Sequence, residues 1–283
     1  MTMTLTRIPL PVVIAVMLLT VGTGGSAQAG RRAPVAQLTI EAADFSFRAP
    51  RFASAGWTTI RLKNGGPNFH HVVLLRLKPG ESRDSVLTRI IARQGDPDSP
   101  IPGAVSVGGP EGHMPAGDSY ATVNLVVGEY LIVCLIPSSN GRNHAARGMF
   151  APLTVVPGLA SQLAAPPSDL VVSLSDYSFG LSKTEVQAGW RTLRVENAGP
   201  AEHIAELARL QDGRTAADLL RWLAGATAEP IVTVGGSTRV AVGGMSFVHV
   251  NLQRGRYVLL CMLQDRGDRQ HVALGMFKEF TVK

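Results

Sequence analysis

The sequence predicts an all-β protein of two tandem β-sandwich domains, each with a short helical insertion. Three observations carry this. One set of short motifs occurs twice in the same order. The segments between the motifs are short and rich in β-branched and aromatic residues. Glycine (30) and proline (18) punctuate them at the spacing of a sandwich rather than of long helices. A length of 283 residues suffices for two domains of ordinary size.

The N-terminus reads as a leader rather than as part of the fold. Arg7 precedes an apolar run from Ile8 to about Val21, and Ala27-Gln28-Ala29 fits an A-x-A cleavage site. The run is shorter than the roughly 20 residues a membrane span needs, and no cysteine follows it to accept a lipid. Residues 1–29 are therefore expected to be a secretory signal peptide, and an uncleaved N-terminal anchor is the competing reading. The destination is the periplasm or the outside of the cell. The formal charge of +6 falls to about +5 without Arg7. Its basic residues are scattered, which argues against a nucleic-acid partner.

The repeat organises the rest. Asp44-Phe45-Ser46-Phe47 returns as Asp176-Tyr177-Ser178-Phe179, and Ala55-Gly56-Trp57 as Ala188-Gly189-Trp190. Asn64-Gly65-Gly66-Pro67 with His70 returns as Asn197-Ala198-Gly199-Pro200 with His203. Val107-Gly108-Gly109 matches Val234-Gly235-Gly236, and Gly128-x-Tyr130-x-x-x-Cys134 matches Gly255-x-Tyr257-x-x-x-Cys261. His144 and Gly148-Met149-Phe150 match His271 and Gly275-Met276-Phe277. The offset is 132–133 residues early and 127 late, so the copies differ in length between His70 and Val107. These matches divide the chain into residues 30–157, a Pro-containing linker at 158–167, and residues 168–283.

Within the first copy, segments 37–40, 58–62, 72–75, 120–125 and 130–134 read as strands, and their counterparts read alike. The insertions differ. Residues 84–91 and 215–223 have helical spacing of apolar residues, with Trp222 read as packing. Val107-Gly108-Gly109-Pro110 reads as a turn between strands, packed near the ligand loops.

Each copy holds one of the chain's two cysteines. An interdomain disulfide would require equivalent strand ends to meet within about 6 Å. The alternative rests on their surroundings, since Cys134 is followed by His144 and Met149, and Cys261 by His271 and Met276, at identical spacing. A histidine follows each Asn-x-Gly-Pro turn. A thiolate with two imidazoles suits copper cycling between Cu(I) and Cu(II), and a thioether supplies a weak axial contact. In the first copy His70 is in phase with Val72 and Leu74 and aligns with His203, whereas the adjacent His71, its rival, faces the opposite side.

Asn64…His70 with Gly128-x-Tyr130-x-x-x-Cys134-x9-His144-x4-Met149 resembles the cupredoxin, or type 1 blue-copper, pattern, and does so twice over nearly the whole chain after residue 29. The resemblance implies Greek-key β-sandwiches with copper at one end, one per domain, and an electron-transfer role toward a redox partner protein. The implied metal set is His70, Cys134, His144 and Met149, with His203, Cys261, His271 and Met276. The nine-residue Cys–His spacing departs from small plastocyanin-like members and is closer to that of copper nitrite reductases.

Catalytic readings are weaker. Multicopper oxidases and copper nitrite reductases place a histidine beside the copper cysteine, but here the neighbours are Val133, Leu135, Leu260 and Met262. His71, His113 and His249 are left over, enough in principle for one three-histidine site. No Gly-x-Ser-x-Gly elbow or phosphate loop is present. A copper chaperone or buffer without a redox circuit, and a metal-free scaffold on the same sandwich, are the other readings.

Overall fold

The computed structural model describes residues 36–93, 98–112, 117–158 and 164–283. The expected leader and residues 159–163 of the expected linker lie outside them. The first half contains β1 (Ala36–Ala43), β2 (Ser46–Arg48), β3 (Phe52–Ser54), β4 (Gly56–Asn64), β5 (Val73–Leu77), β6 (Ala104–Ser106), β7 (Asp118–Leu125), β8 (Gly128–Val133) and β9 (Phe150–Val156). The second contains β10 (Leu170–Ser175), β11 (Ser178–Leu181), β12 (Glu185–Val186), β13 (Gly189–Asn197), β14 (His203–Leu210), β15 (Ile231–Val240), β16 (Met245–Leu252), β17 (Gly255–Leu260) and β18 (Phe277–Val282).

Alternation of side chains builds the sandwich in each half. On β8, Tyr130 and Ile132 point into the core between the sheets together with Leu38, Ile40, Ile60 and Leu62. Leu131 and Val133 point the other way, under the helix. Cys134 keeps the phase of Tyr130 and Ile132 and so enters the inner core, one residue beyond the end of β8. The second half repeats this, with Tyr257, Leu259 and Cys261 inward and Val258 and Leu260 outward. Each fully buried Leu or Ile contributes roughly 1.5–3 kcal/mol, so the strand that carries the cysteine is anchored on both faces.

The predicted helices form at α1 (Arg83–Ala92) and α2 (Ala216–Leu223). Ser82 caps α1 by accepting the Ser85 N–H at 3.1 Å, and Val86 and Ile90 bury against β5 and β8. Thr215 and Asp218 form a capping box on α2. Trp222 is partly buried against the cluster that contains Leu219 and Leu210. No helix among the described residues is long and apolar enough to cross a membrane.

The two halves share one eight-stranded sheet, in the order β11-β10-β13-β16-β7-β4-β1-β2, and each adds a five-stranded sheet of its own. The join is β7 against β16, antiparallel, with Ala121 opposite Val248, its own counterpart in the repeat. Trp57 packs on Phe247, and the equivalent pair Tyr120 and Trp190 packs likewise, at ring-centroid distances of 5.2 and 5.9 Å. The halves are thus related by an approximate two-fold axis through this contact.

A second join replaces the turn expected at residues 107–110. Val107 pairs with Val240 and Pro110 with Ser237, across the halves. Gly109 and Gly236 on this seam each pack tightly within their own half, where a Cβ would lie 2.2 Å from the carbonyl oxygen of Val72 or Ala205 respectively. The segment is a strand-like seam, with the Thr238 N–H donating to the Gly109 carbonyl at 2.9 Å.

Candidate metal centre

Two buried clusters occupy the same place in each half. In the first, Nδ1 of His70 and Nδ1 of His144 lie 3.2 Å apart, and Cys134 Sγ lies 3.5 Å from His144 Nδ1. In the second, Nδ1 of His203 and Nδ1 of His271 lie 3.3 Å apart, and Cys261 Sγ lies 3.5 Å from His271 Nδ1. In each set the three donor atoms fall within 4.8 Å of one another. Both cysteines are buried.

Local backbone bonds hold these side chains. The Cys134 N–H donates to the Met149 carbonyl at 3.2 Å, and the Met149 N–H to the His144 carbonyl at 3.1 Å. The second half repeats both bonds, from Cys261 to Met276 and from Met276 to His271. Gly148 and Gly275, each at φ 102°, end the single 3-10 turn that begins at His144 or His271. Met149 and Met276 are fully buried in the inner cores that also hold the cysteines. In the first half the Asn143 side chain caps the turn and also donates to the Ile90 carbonyl at the end of α1, at 3.0 Å. The helical insertion therefore braces the ligand loop.

The outer nitrogens of His70 and His203 meet carboxylates. His70 Nε2 lies 2.7 Å from Asp44 Oδ1, and His203 Nε2 lies 3.2 Å from Asp176 Oδ1. Donation from Nε2–H leaves Nδ1 as a bare lone pair aimed into the cluster. Burial, then electrostatic interaction with the neighbouring His70, pushes His144 down to about 4. Burial lowers His203 and His271 as well, opposed by Asp176 and Asp98 respectively. Two imidazoles and a cysteine sulfur facing one another in a buried cluster are a donor set that a soft metal ion fits. The carboxylates were not singled out by sequence reasoning, although the repeated Asp-aromatic-Ser-Phe motif that carries them was visible.

His71 stands apart. Its Nδ1 lies 3.0 Å from Glu111 Oε1, and its Nε2 accepts the Leu135 N–H at 2.8 Å, so both ring nitrogens are used. His249 is likewise engaged, with Thr122 at 2.7 Å and Thr192 at 3.0 Å beside the central strand pair. His113 lies outside the described residues. A cavity of about 580 Å³ is lined by both halves, with Phe69, His71 and Ile136 from the first and Ile204, Met262 and Gln270 from the second. Each wall is made by sequence neighbours of the clustered residues.

No protein-family model and no curated protein matches the chain. Among solved structures, the dithionite-reduced auracyanin from Roseiflexus castenholzii is similar at 19% identity and a TM-score of 0.30, over 44% of this chain and 100% of that one. A multicopper oxidase is similar at 12% identity and a TM-score of 0.27, over 87% and 88%. A Cu-containing nitrite reductase from Thermus scotoductus is similar at 10% identity and a TM-score of 0.27, over 87% and 61%. At such distance the chemistry of the site rests on its own geometry.

Proposed function

We propose that the protein is an exported copper-binding one-electron carrier, with a mononuclear type 1-like site in each half and a redox partner protein as its counterpart. The observation that carries this is the twofold convergence of two imidazole nitrogens and one thiol in a buried cluster. Copper supplies a one-electron Cu(I)/Cu(II) couple when it is held by such ligands.

The chain's own residues then set the conditions. Cys134 and Cys261 would bind as thiolates and provide the strongest electronic coupling. His70 with His144, and His203 with His271, would complete each trigonal set, held in orientation by Asp44 and Asp176. Met149 and Met276, buried beside the cysteines, would be the weak ligands. The backbone bonds that tie the ligands to one another mean that little has to move between oxidation states. Residues 30–157 and 168–283 are the two copper domains in this reading, and residues 1–29 direct export.

Loading the folded protein with Cu(II) tests the proposal. Two coppers per chain and an intense visible thiolate-to-copper absorption are expected, halved by Cys134→Ser or Cys261→Ser and abolished by both. Tight Cu(I) binding without a reversible couple would favour copper handling instead. Folded protein that takes up no stoichiometric copper would leave only a scaffold.

A further inference from the structure

The two clusters differ in the charges around them, although their ligands are the same. In the first half, the Arg147 guanidinium sits 3.3 Å from the centroid of the Phe45 ring. That ring meets His144 edge to face at 4.8 Å. In the second half the equivalent position is Leu274, and Tyr177 takes the place of Phe45 against His271 at 5.0 Å. A positive charge therefore stands behind His144 and none stands in that place behind His271.

The second difference comes from across the seam. Asp98, from the insertion of the first half, places its Oδ2 3.4 Å from His271 Nε2, and its N–H donates to the Gln264 carbonyl at 2.8 Å. Ser99 is held in turn, since its carbonyl accepts from Arg239 at 3.0 Å. Asp98 belongs to the stretch in which the two copies differ in length, and among the described residues no carboxylate forms an equivalent pair with His144. Three other carboxylates are either matched between the clusters or paired. Asp44 and Asp176 occupy equivalent places, and Asp265 near the second cluster is paired with Arg269 at 2.7 Å.

We propose that the two centres are unequal, with the higher reduction potential in the first half, so that an electron entering the protein settles there. This rests on the reading of both clusters as copper sites. A carboxylate beside a ligand stabilises the more positive Cu(II), and a guanidinium stabilises Cu(I). Both differences act in the same direction. The internal step is Cu(I) in the second half reducing Cu(II) in the first; one electron moves and no proton is exchanged. The second half is then the entry side and the first half the exit side.

Redox titrations of single-site proteins decide it. Cys261→Ser reports the first centre alone and Cys134→Ser the second, each followed by its visible absorption. At one ambient potential the ratio of reduced to oxidised copper is expected to be on the order of tenfold higher in the first centre, which is about 59 mV for one electron. Asp98→Asn should raise the ratio of the second centre by roughly threefold or more and leave the first unmoved. Arg147→Leu should lower that of the first and leave the second. Two bound coppers with equal or inverted ratios, or ratios that neither substitution moves, overturn the ordering alone. Absence of copper from both single-site proteins overturns the copper reading and the ordering with it.

Discussion

Replacing Glu202 by leucine should cost the metal-free protein about 3–5 kcal/mol, because it breaks a buried ion pair in the seam between the halves. Arg239 is 1% exposed and Glu202 2%. Glu202 Oε2 accepts from Arg239 Nε at 2.8 Å and lies 2.7 Å from its Nη2. The Ser106 hydroxyl of the first half donates to the same oxygen at 3.1 Å. Leucine keeps the apolar volume, so the loss comes from charge rather than from a void. Arg239 keeps other partners, among them the Ser99 carbonyl at 3.0 Å, which favours the lower end, about 3 kcal/mol. For a chain of this size that is roughly 6–12 °C in Tm. The control is Glu202→Leu with Arg239→Met, which removes both charges and should restore stability to within about 1 kcal/mol. Urea unfolding followed by circular dichroism reads both, with equal slopes required for the comparison. The reasoning fails if the single substitution costs under about 1 kcal/mol, or if the double variant is as unstable as the single one.

Three further outcomes follow from the same geometry. Asp44→Asn, in a Cys261→Ser background, should weaken copper binding about 10- to 100-fold in chelator competition, since it withdraws the carboxylate that orients His70; unchanged affinity would remove Asp44 from the site. His144 is held at about 4 against an ordinary value of 6.5, so between those pH values the unfolded chain takes a proton that the folded one refuses. The metal-free protein should therefore lose stability as pH falls from about 6.5 to 4, by about 3 kcal/mol from this residue, and His144→Asn should flatten that slope in urea unfolding at several pH values. Gly109→Ala or Gly236→Ala should cost at least about 2 kcal/mol, because the new methyl group meets a carbonyl oxygen at 2.2 Å; unfolding midpoints equal to the parent's would contradict the close approach.

The sequence by itself determined the parts that depend on local pattern. Alternation along residues 130–134 sends Cys134 inward with Tyr130 and Ile132, and the same alternation separates His70 from His71. Spacing of apolar residues over 84–91 and 215–223 determines the two helices. The repeat, read twice, picks out His70, Cys134, His144 and Met149 with their second-half counterparts, because identical spacing on matched strands delivers identical places. What the tertiary structure decided depends on residues far apart in the chain. The seam at residues 107–110, expected as a turn, is paired with 237–240 of the other half. The pairing of β7 with β16, the buried Glu202–Arg239 pair and the reach of Asp98 to His271 have no local signature, since each joins partners more than 30 residues apart. Strand period places a side chain on a face; only the packed interface determines which charge stands behind it.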